Sequence, residues 1–269
     1  MLAAAGPAAQ AGRGVRLGAD TLSRLLDDLC KPGALERRRE GERQLCEYVE
    51  AEARDLSADA FSKFMTEAYA RLGAMVKSPD AYKRLGAVLA IDELIGMRAI
   101  GDDAARTAAF SSMLRRLFED SQDLVLLEVG ATTLGHLVRS GGPMMADVVE
   151  RQVRDALPWL NPRLEPSEAR RYAAVLILRE LADCAPAVFN VHVKSFIDGV
   201  WGGLRDPKLH VREASVQALT SVLVLVEKRE TRYRYGTIAD CYTEMGDFEA
   251  AAANYDKYIR IMSTDGTPV

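Results

Sequence analysis

The sequence predicts an all-α protein: a right-handed α-solenoid of about five helix pairs, followed by a C-terminal helix hairpin. Hydrophobic residues make up 48% of the 269 residues but aromatic residues only 7%, and Ala and Leu favour helices over sheets. A nine-residue apolar pattern also recurs along the chain, most clearly within Arg170–Ala182, where apolar residues fall on one helical stripe. Short turns rich in Asp, Ser and Pro separate the copies.

The recurring pattern has a nearly constant period. Between equivalent residues of successive copies the intervals are 46, 43, 44 and 41 residues. A period of about 40–47 with two helices per unit is typical of HEAT or armadillo arrays, and two helices rather than three favour HEAT. One pair cannot bury its apolar face alone, so neighbouring pairs must stack. The five copies are Glu40–Tyr48, Gly86–Leu94, Val129–Leu137, Ala173–Leu181 and Ala214–Val222.

In the first half of the chain, turn residues delimit the predicted helices. An N-cap at Asp20-Thr21 and a stop at Lys31-Pro32-Gly33 define a helix ending near Leu29. Helices follow at about 35–54 and 58–76, the second ended by Ser78-Pro79-Asp80. The next helix carries the second copy, residues 96–103 form a loop, and a helix at about 104–118 ends before a tight turn at 120–123.

In the second half, Ser140-Gly141-Gly142-Pro143 is the clearest predicted loop after the third copy. A helix at about 145–160 follows, and Pro166-Ser167-Glu168 caps the fourth copy. A helix at about 190–204 stops at Arg205-Asp206-Pro207, before the fifth copy. Trp159 and Trp201 end first helices of two pairs, where packing in the core or between helices is expected.

Specific positions are predicted to hold the stack together. Small residues recur at one place in four copies, where a larger side chain would push neighbouring helices apart. Asp206 and Arg212 are assigned to a structural pair at a turn between repeats. The predicted structural positions are Leu45, Ala87, Ile91, Gly130, Leu134, Ala174, Leu178, Ser215 and Leu219.

The C-terminal part follows a different pattern, that of one tetratricopeptide unit of 34 residues. Its predicted positions are Tyr235, Ile238, Ala239, Tyr242, Gly246, Phe248, Ala251 and Tyr255. We therefore expect a disordered tail at 1–19, a solenoid at 20–231, the hairpin at 232–265 and a tail at 266–269. The hairpin is interpreted as a cap on the array or, alternatively, as a peptide-binding groove.

The composition gives no indication of catalysis, cofactor binding or a metal site. The four cysteines, Cys30, Cys46, Cys184 and Cys241, form no metal-ligand spacing and are expected to be free thiols in a reducing compartment. The histidines are widely separated, and no glycine-rich phosphate loop is present. A net charge of −4 argues against nucleic-acid binding, and no apolar run is expected to reach transmembrane length.

Six segments carry a family resemblance: Ala53–Met65, Gly86–Ile95, Leu134–Val138, Arg170–Ala182, Val188–Val193 and Val226–Arg232. In order and spacing they resemble the N-terminal HEAT units of target of rapamycin (TOR) serine/threonine kinases, in their plant or algal form. The resemblance covers roughly residues 20–234, and the sequence departs from the family after about Arg234.

This resemblance implies a non-catalytic scaffold, because in that family the kinase domain lies far downstream of these repeats. It further implies binding of a Raptor-type subunit, and of TOR itself as a second partner, in the cytoplasm, with endomembrane surfaces or the nucleus as other locations. Two alternatives stay open: the beginning of a kinase gene product, and a tetratricopeptide adaptor. The oligomeric state is not indicated by the sequence.

Overall fold

The computed structural model describes residues 21–31, 35–97 and 104–264, and within these ranges the chain contains helices and turns but no strand. The all-α solenoid is therefore confirmed. The predicted terminal tails, the stop at 32–33 and most of the predicted loop at 96–103 lie outside the described residues.

The helices follow one another in antiparallel pairs, and a second helix packs against the second helix of the next pair. Among the α-helices of the described residues, only Pro186–Phe189 is as short as a single turn. In chain order they are α1 (21–29), α2 (Leu35–Asp55), α3 (Ala58–Val76), α4 (Ala81–Gly96), α5 (Ala104–Asp120), α6 (Leu124–Gly141), α7 (Ala146–Ala156), α8 (Glu168–Cys184), α9 (Pro186–Phe189), α10 (Val193–Leu204), α11 (Leu209–Glu244) and α12 (Phe248–Thr264).

Side-chain caps explain where the helices begin. Ser57 accepts a hydrogen bond from the Ala60 amide, and Asp80 accepts one from the Tyr82 amide. Asp123 accepts from two amides at the start of α6, and Ser167 accepts from one at the start of α8. Because these caps fall in the Asp/Ser turns, the spacing of turn residues sets the boundaries between helix pairs.

One predicted loop is almost absent. The prediction of a loop at 140–143 was wrong in extent, because α6 continues to Gly141 and a 3₁₀ helix begins at Gly142. Within residues 140–143 only Gly142, with a φ of 51°, takes a left-handed conformation, and it reverses the chain. A second 3₁₀ helix, Leu157–Leu160, replaces the last turn of the helix predicted at 145–160.

The apolar core runs along the stack as one continuous cluster from Leu22 to Leu225. Its largest fully buried side chains include Phe110, Phe118 and Phe196, which lie on first helices. Each added pair thus seals the apolar side of the pair before it.

Helix α11 extends over 36 residues and belongs both to the stack and to the C-terminal hairpin. Its beginning packs against α8 and α10 as the second helix of the fifth pair, and α12 packs against α11. The buried Ala239 and Ala251 of this hairpin lie outside the main core cluster. The boundary predicted between residues 231 and 232 falls inside this uninterrupted helix, because Thr220–Tyr235 contains neither Gly nor Pro.

By length and composition alone, α11 could also cross a membrane, with a mean hydropathy of 1.3 in an 18-residue window. The expectation that no run reaches transmembrane length is therefore not met by this helix. One third of that window, 33%, is buried inside the protein. A helix packed into a protein core passes the same test, so this is weak evidence for a membrane span.

Candidate interaction surface

Polar side chains on successive second helices join neighbouring pairs at their exposed edge. At the joint between α4 and α6, His136 Nδ1 lies 2.7 Å from Asp92 Oδ1. Between α8 and α11, Arg179 donates to the side-chain oxygen of Gln217 at 2.6 Å. The polar groups of this edge therefore hydrogen-bond neighbouring helix pairs to each other. Each such hydrogen bond helps to fix the register of one helix against the next.

Each of the three histidines lies beside a carboxylate of an earlier helix, and two of them, His136 and His192, are hydrogen-bonded to it. Besides His136, His192 Nε2 lies 2.5 Å from Glu150 Oε2. His210 Nε2 lies 3.3 Å from Glu168 Oε1. Hydrogen bonding from His192 lowers the pKa of Glu150, and hydrogen bonding from Lys208 lowers the pKa of Glu168. These contacts assign the histidines to joints between helices.

Cys30, Cys46 and Cys184 are not activated as nucleophiles. Burial raises the pKa of Cys30 to about 11. Burial and then hydrogen bonding to Glu93 raise the pKa of Cys46 to about 12. Burial also raises the pKa of Cys184, so all three thiols are protonated near neutral pH. Among the residues that the structure describes, no group of three or more His, Cys, Asp or Glu side chains could hold a metal ion.

The predicted turn residue Asp206 is 4% exposed and has a partner that the sequence did not indicate. Its carboxylate accepts from Arg171 of the preceding pair, with Nε–Oδ2 at 2.5 Å and a second contact at 3.2 Å. Arg212, the partner suggested by the sequence, instead donates to the carbonyl oxygens of Asp206 and Pro207. Asp206 therefore joins two repeats, while Arg212 closes the turn.

The electrostatics of this joint favour the ionised carboxylate. Burial opposes ionisation of Asp206, but the hydrogen bonds from Arg171 and from the Lys208 amide outweigh it and lower the pKa of Asp206. A bidentate arginine–carboxylate contact of this kind is among the stronger ion pairs in proteins. The joint between the fourth and fifth pairs is thus held by charge as well as by apolar packing.

The small repeat residues lie where helices approach most closely. A Cβ atom built on Gly130 would lie 2.6 Å from Leu117 Cδ2, on the first helix of the same pair. Ser215 is likewise close to Gly203 of α10. Eight of the nine predicted structural positions are buried, and Leu219 is partly buried against the core.

The tetratricopeptide-like positions occupy the α11–α12 hairpin, which turns at Gly246 with a φ of 79°. Ala239 and Ala251 are buried between the two helices. Half-buried positions are Tyr235, Ile238 and Tyr242, and exposed positions are Phe248 and Tyr255.

Trp201, which was expected to pack in the core or between helices, is 53% exposed, so it does not lie in the core. Phe196, Val200 and Gly203 form the buried stripe of α10, and Trp201 lies one residue beyond Val200, about 100° around the helix. The helical period could have identified it as an outward residue.

Trp201 borders a cleft between the fourth and fifth pairs, with a volume of about 540 Å³. Arg171 and Asp206 also line this cleft. We call it the Trp201 cleft and define it by its apolar lining. That lining consists of Leu160, Pro162, Pro166, Trp201, Gly202, Gly203 and Pro207.

The fold and this surface define a helical-repeat scaffold with an open, mainly apolar cleft. No family model matches the sequence. The chain is 44% identical over 230 residues to the serine/threonine-protein kinase TOR of Arabidopsis thaliana. The aligned residues cover 85% of this chain and 9% of that protein. It is 47% identical over 190 residues to the same kinase of Oryza sativa subsp. japonica, covering 71% of this chain and 8% of that protein.

The chain is therefore homologous to a segment of the TOR serine/threonine kinases, at 44% and 47% identity to the two plant proteins. It spans less than a tenth of the length of these curated relatives. A shorter match, 46% identical over 50 residues, is to the chloroplastic protein FLUORESCENT IN BLUE LIGHT of Arabidopsis thaliana and covers 17% of this chain and 16% of that protein.

Proposed function

We propose that this chain is a non-catalytic interaction scaffold of TOR signalling that binds a Raptor-type subunit through the Trp201 cleft. The single observation that carries the proposal is this cleft, because it exposes a large aromatic side chain on a segment homologous to TOR. Tryptophan is enriched among the residues that dominate binding energies in protein interfaces. Repeat arrays also provide extended surfaces on a stiff frame.

The distribution of polar groups supports a binding role over a chemical one. His136, His192 and Asp206 are engaged with neighbouring helices, and the buried thiols of Cys30 and Cys46 have raised pKa values. A scaffold needs such groups to hold its repeats in place, whereas general acid–base catalysis needs them directed at a substrate. The proposed site of action is the cytoplasm.

The test is capture of the Raptor-type subunit by the immobilised full chain. Trp201→Ala should reduce the captured amount at least fivefold, since truncating a central aromatic residue costs about 1 kcal/mol or more. Tyr82→Ala is the matched control, because Tyr82 is also an exposed aromatic residue, 50% accessible, but lies on α4. Equal capture by the parent and Trp201→Ala would refute the assignment of the cleft, and phosphotransfer by the purified chain would refute the non-catalytic role.

A second candidate is that this segment belongs to a longer serine/threonine kinase product. The observation that favours it is the short span, 9% and 8%, that the chain covers in kinases to which it is 44% and 47% identical. Long-read sequencing of transcripts would test it. Transcripts that continue from these repeats into a kinase domain would support it, and their absence would favour the separate scaffold.

A further inference from the structure

The helix α12 carries an exposed apolar stripe that the stack does not use. Phe248 is 71% exposed, Tyr255 37% and Ile259 46%, and Ala252 is exposed between them. Their spacing of four, three and four residues places all four side chains on one side of the helix. The face of α12 that packs on α11 is a different one, formed around Ala251 and Tyr258.

Carboxylates border this stripe on both sides. The Tyr255 hydroxyl donates to Asp240 Oδ1 at 2.5 Å, which brings the edge of α11 beside the stripe. Glu244 lies one turn further along the same edge of α11. On the other side, Glu249 and Asp256 each follow a stripe residue by one position, and Asp256 is paired with Arg260 at 2.6 Å.

Arg260 also borders the stripe, but it is paired with Asp256, and two other cations of the hairpin lie around Tyr235. The Arg234 guanidinium lies 5.2 Å from the ring centre of Tyr235, and the Lys257 ammonium lies 5.4 Å from the same ring. Lys257 is two residues beyond Tyr255 and therefore about 200° around α12 from it. The two edges of the hairpin thus differ in charge, and the apolar stripe lies on the acidic one.

From this arrangement we infer that the hairpin stripe, defined as Phe248, Ala252, Tyr255 and Ile259, binds an amphipathic α-helix with basic flanks from a partner protein. An exposed apolar stripe beside a second helix is the surface used in helix-in-groove recognition. The carboxylates at its borders select lysine and arginine beside the apolar residues of the incoming helix. Such a contact is small, so the affinity is expected in the micromolar range.

The same charges disfavour a second copy of this chain as the occupant. A twofold contact between stripes would place the acidic border of one copy against that of the other. Like charges opposed across an interface weaken it. The asymmetry of charge therefore selects a basic partner over self-association.

The experiment uses the full chain and a labelled 18-residue helical peptide with leucines on one stripe and lysines beside them. A second peptide carries glutamates in place of those lysines. The lysine peptide should bind saturably, as measured by fluorescence anisotropy, and the glutamate peptide should bind at least tenfold more weakly. Phe248→Ser and Ile259→Ser should each weaken binding of the lysine peptide at least fivefold.

Leu223→Ser is the matched control, because Leu223 is 52% exposed on α11 but lies in the part of that helix that belongs to the stack. Helicity and the melting temperature of each variant check that the fold is kept. Equal binding of the two peptides, or unchanged binding by both stripe variants, would overturn the inference. Concentration-dependent dimers that Phe248→Ser abolishes would assign the stripe to a second copy instead. Trp201→Ala should leave peptide binding intact, so this outcome is independent of the proposed scaffold function.

Discussion

Replacing Gly203 by alanine is expected to loosen the fifth helix pair. A Cβ atom at this position would lie 2.3 Å from Ser215 Oγ and 3.3 Å from Ser215 Cβ. Ser215 is fully buried, and its hydroxyl donates to the Val211 carbonyl oxygen at 2.7 Å. The new methyl group therefore meets a side chain that has no free space to enter, and α10 and α11 must separate.

Two opposing effects set the magnitude. Overpacking of a closed core costs about 1–3 kcal/mol, whereas alanine in place of glycine within a helix stabilises it by about 0.5–1 kcal/mol. The net loss is about 1–2 kcal/mol, which corresponds to a fall in melting temperature of roughly 3–6 °C for a chain of this size. The matched control is Gly73→Ala, because a Cβ atom there meets only Met113 Cε at 3.5 Å, an ordinary contact. This control should melt at the parent temperature or above it.

The cause of the loss can be tested with a double-mutant cycle on Ser215. Ser215→Ala alone removes a hydroxyl that bonds within its own helix, so its effect should stay within about 1 kcal/mol. In the double variant Gly203→Ala/Ser215→Ala, the 2.3 Å contact with the Ser215 hydroxyl is removed. The 3.3 Å contact between the two Cβ atoms remains. Thermal and urea unfolding should therefore give a favourable coupling of about 1 kcal/mol or more between the two sites. Additive effects, or a Gly203→Ala protein as stable as the parent, would refute the close approach of α10 and α11.

Ala174→Leu should lower the melting temperature, because Ala174 is fully buried in α8 and overpacking costs about 1–3 kcal/mol; an unchanged melting temperature would contradict the alignment of the repeats. Because the pKa of Asp206 is lowered in the folded protein, its ionised carboxylate stabilises the fold at pH values above the ordinary pKa of 3.8. This stabilisation is lost as the pH falls through the pKa of the folded state. Urea unfolding should thus show a stability difference between the parent and Asp206→Asn that shrinks below about pH 4, whereas a constant difference would exclude the ion pair as its source. Alkylation followed by mass spectrometry should modify the exposed Cys241 first and Cys46, with a pKa of about 12, much later; the reverse order would contradict the burial of Cys46. Limited trypsin digestion should cut first within 226–238, where no side chain is buried, and first cuts within the stack would disprove this.

Local sequence signals predicted most of the helix boundaries. The helix predicted at 58–76 is Ala58–Val76 in the structure, because Ser57 caps its start and Ser78-Pro79-Asp80 follows its end. The prediction of a loop at 140–143 was wrong because it relied on residue types alone. Consecutive glycines usually indicate a loop, but a reversal needs only one left-handed residue, and Gly142 alone supplies it.

Contacts between repeats were harder to infer from one sequence. Arg171 lies 35 residues before Asp206, and only the stacking of α8 on the turn before α11 brings the two together. The exposure of Trp201 was recoverable, since the apolar stripe of α10 through Val200 already placed it on the outer side. The expectation for Trp201 rested on its position at the end of a first helix and did not consider the direction of its side chain.

The continuity of α11 joins the two proposed binding surfaces through a single helix. From Leu225, the last residue of the stack core, to Ala239, the first buried residue of the hairpin, the helix rises by roughly 21 Å at 1.5 Å per residue. Side chains between them are exposed or half-buried, so this part of α11 depends on helix propensity and local pairs, not on a core. A helix of this kind acts as a semi-rigid spacer. The chain therefore combines an array that carries the Trp201 cleft with a hairpin that is joined to it through one continuous helix.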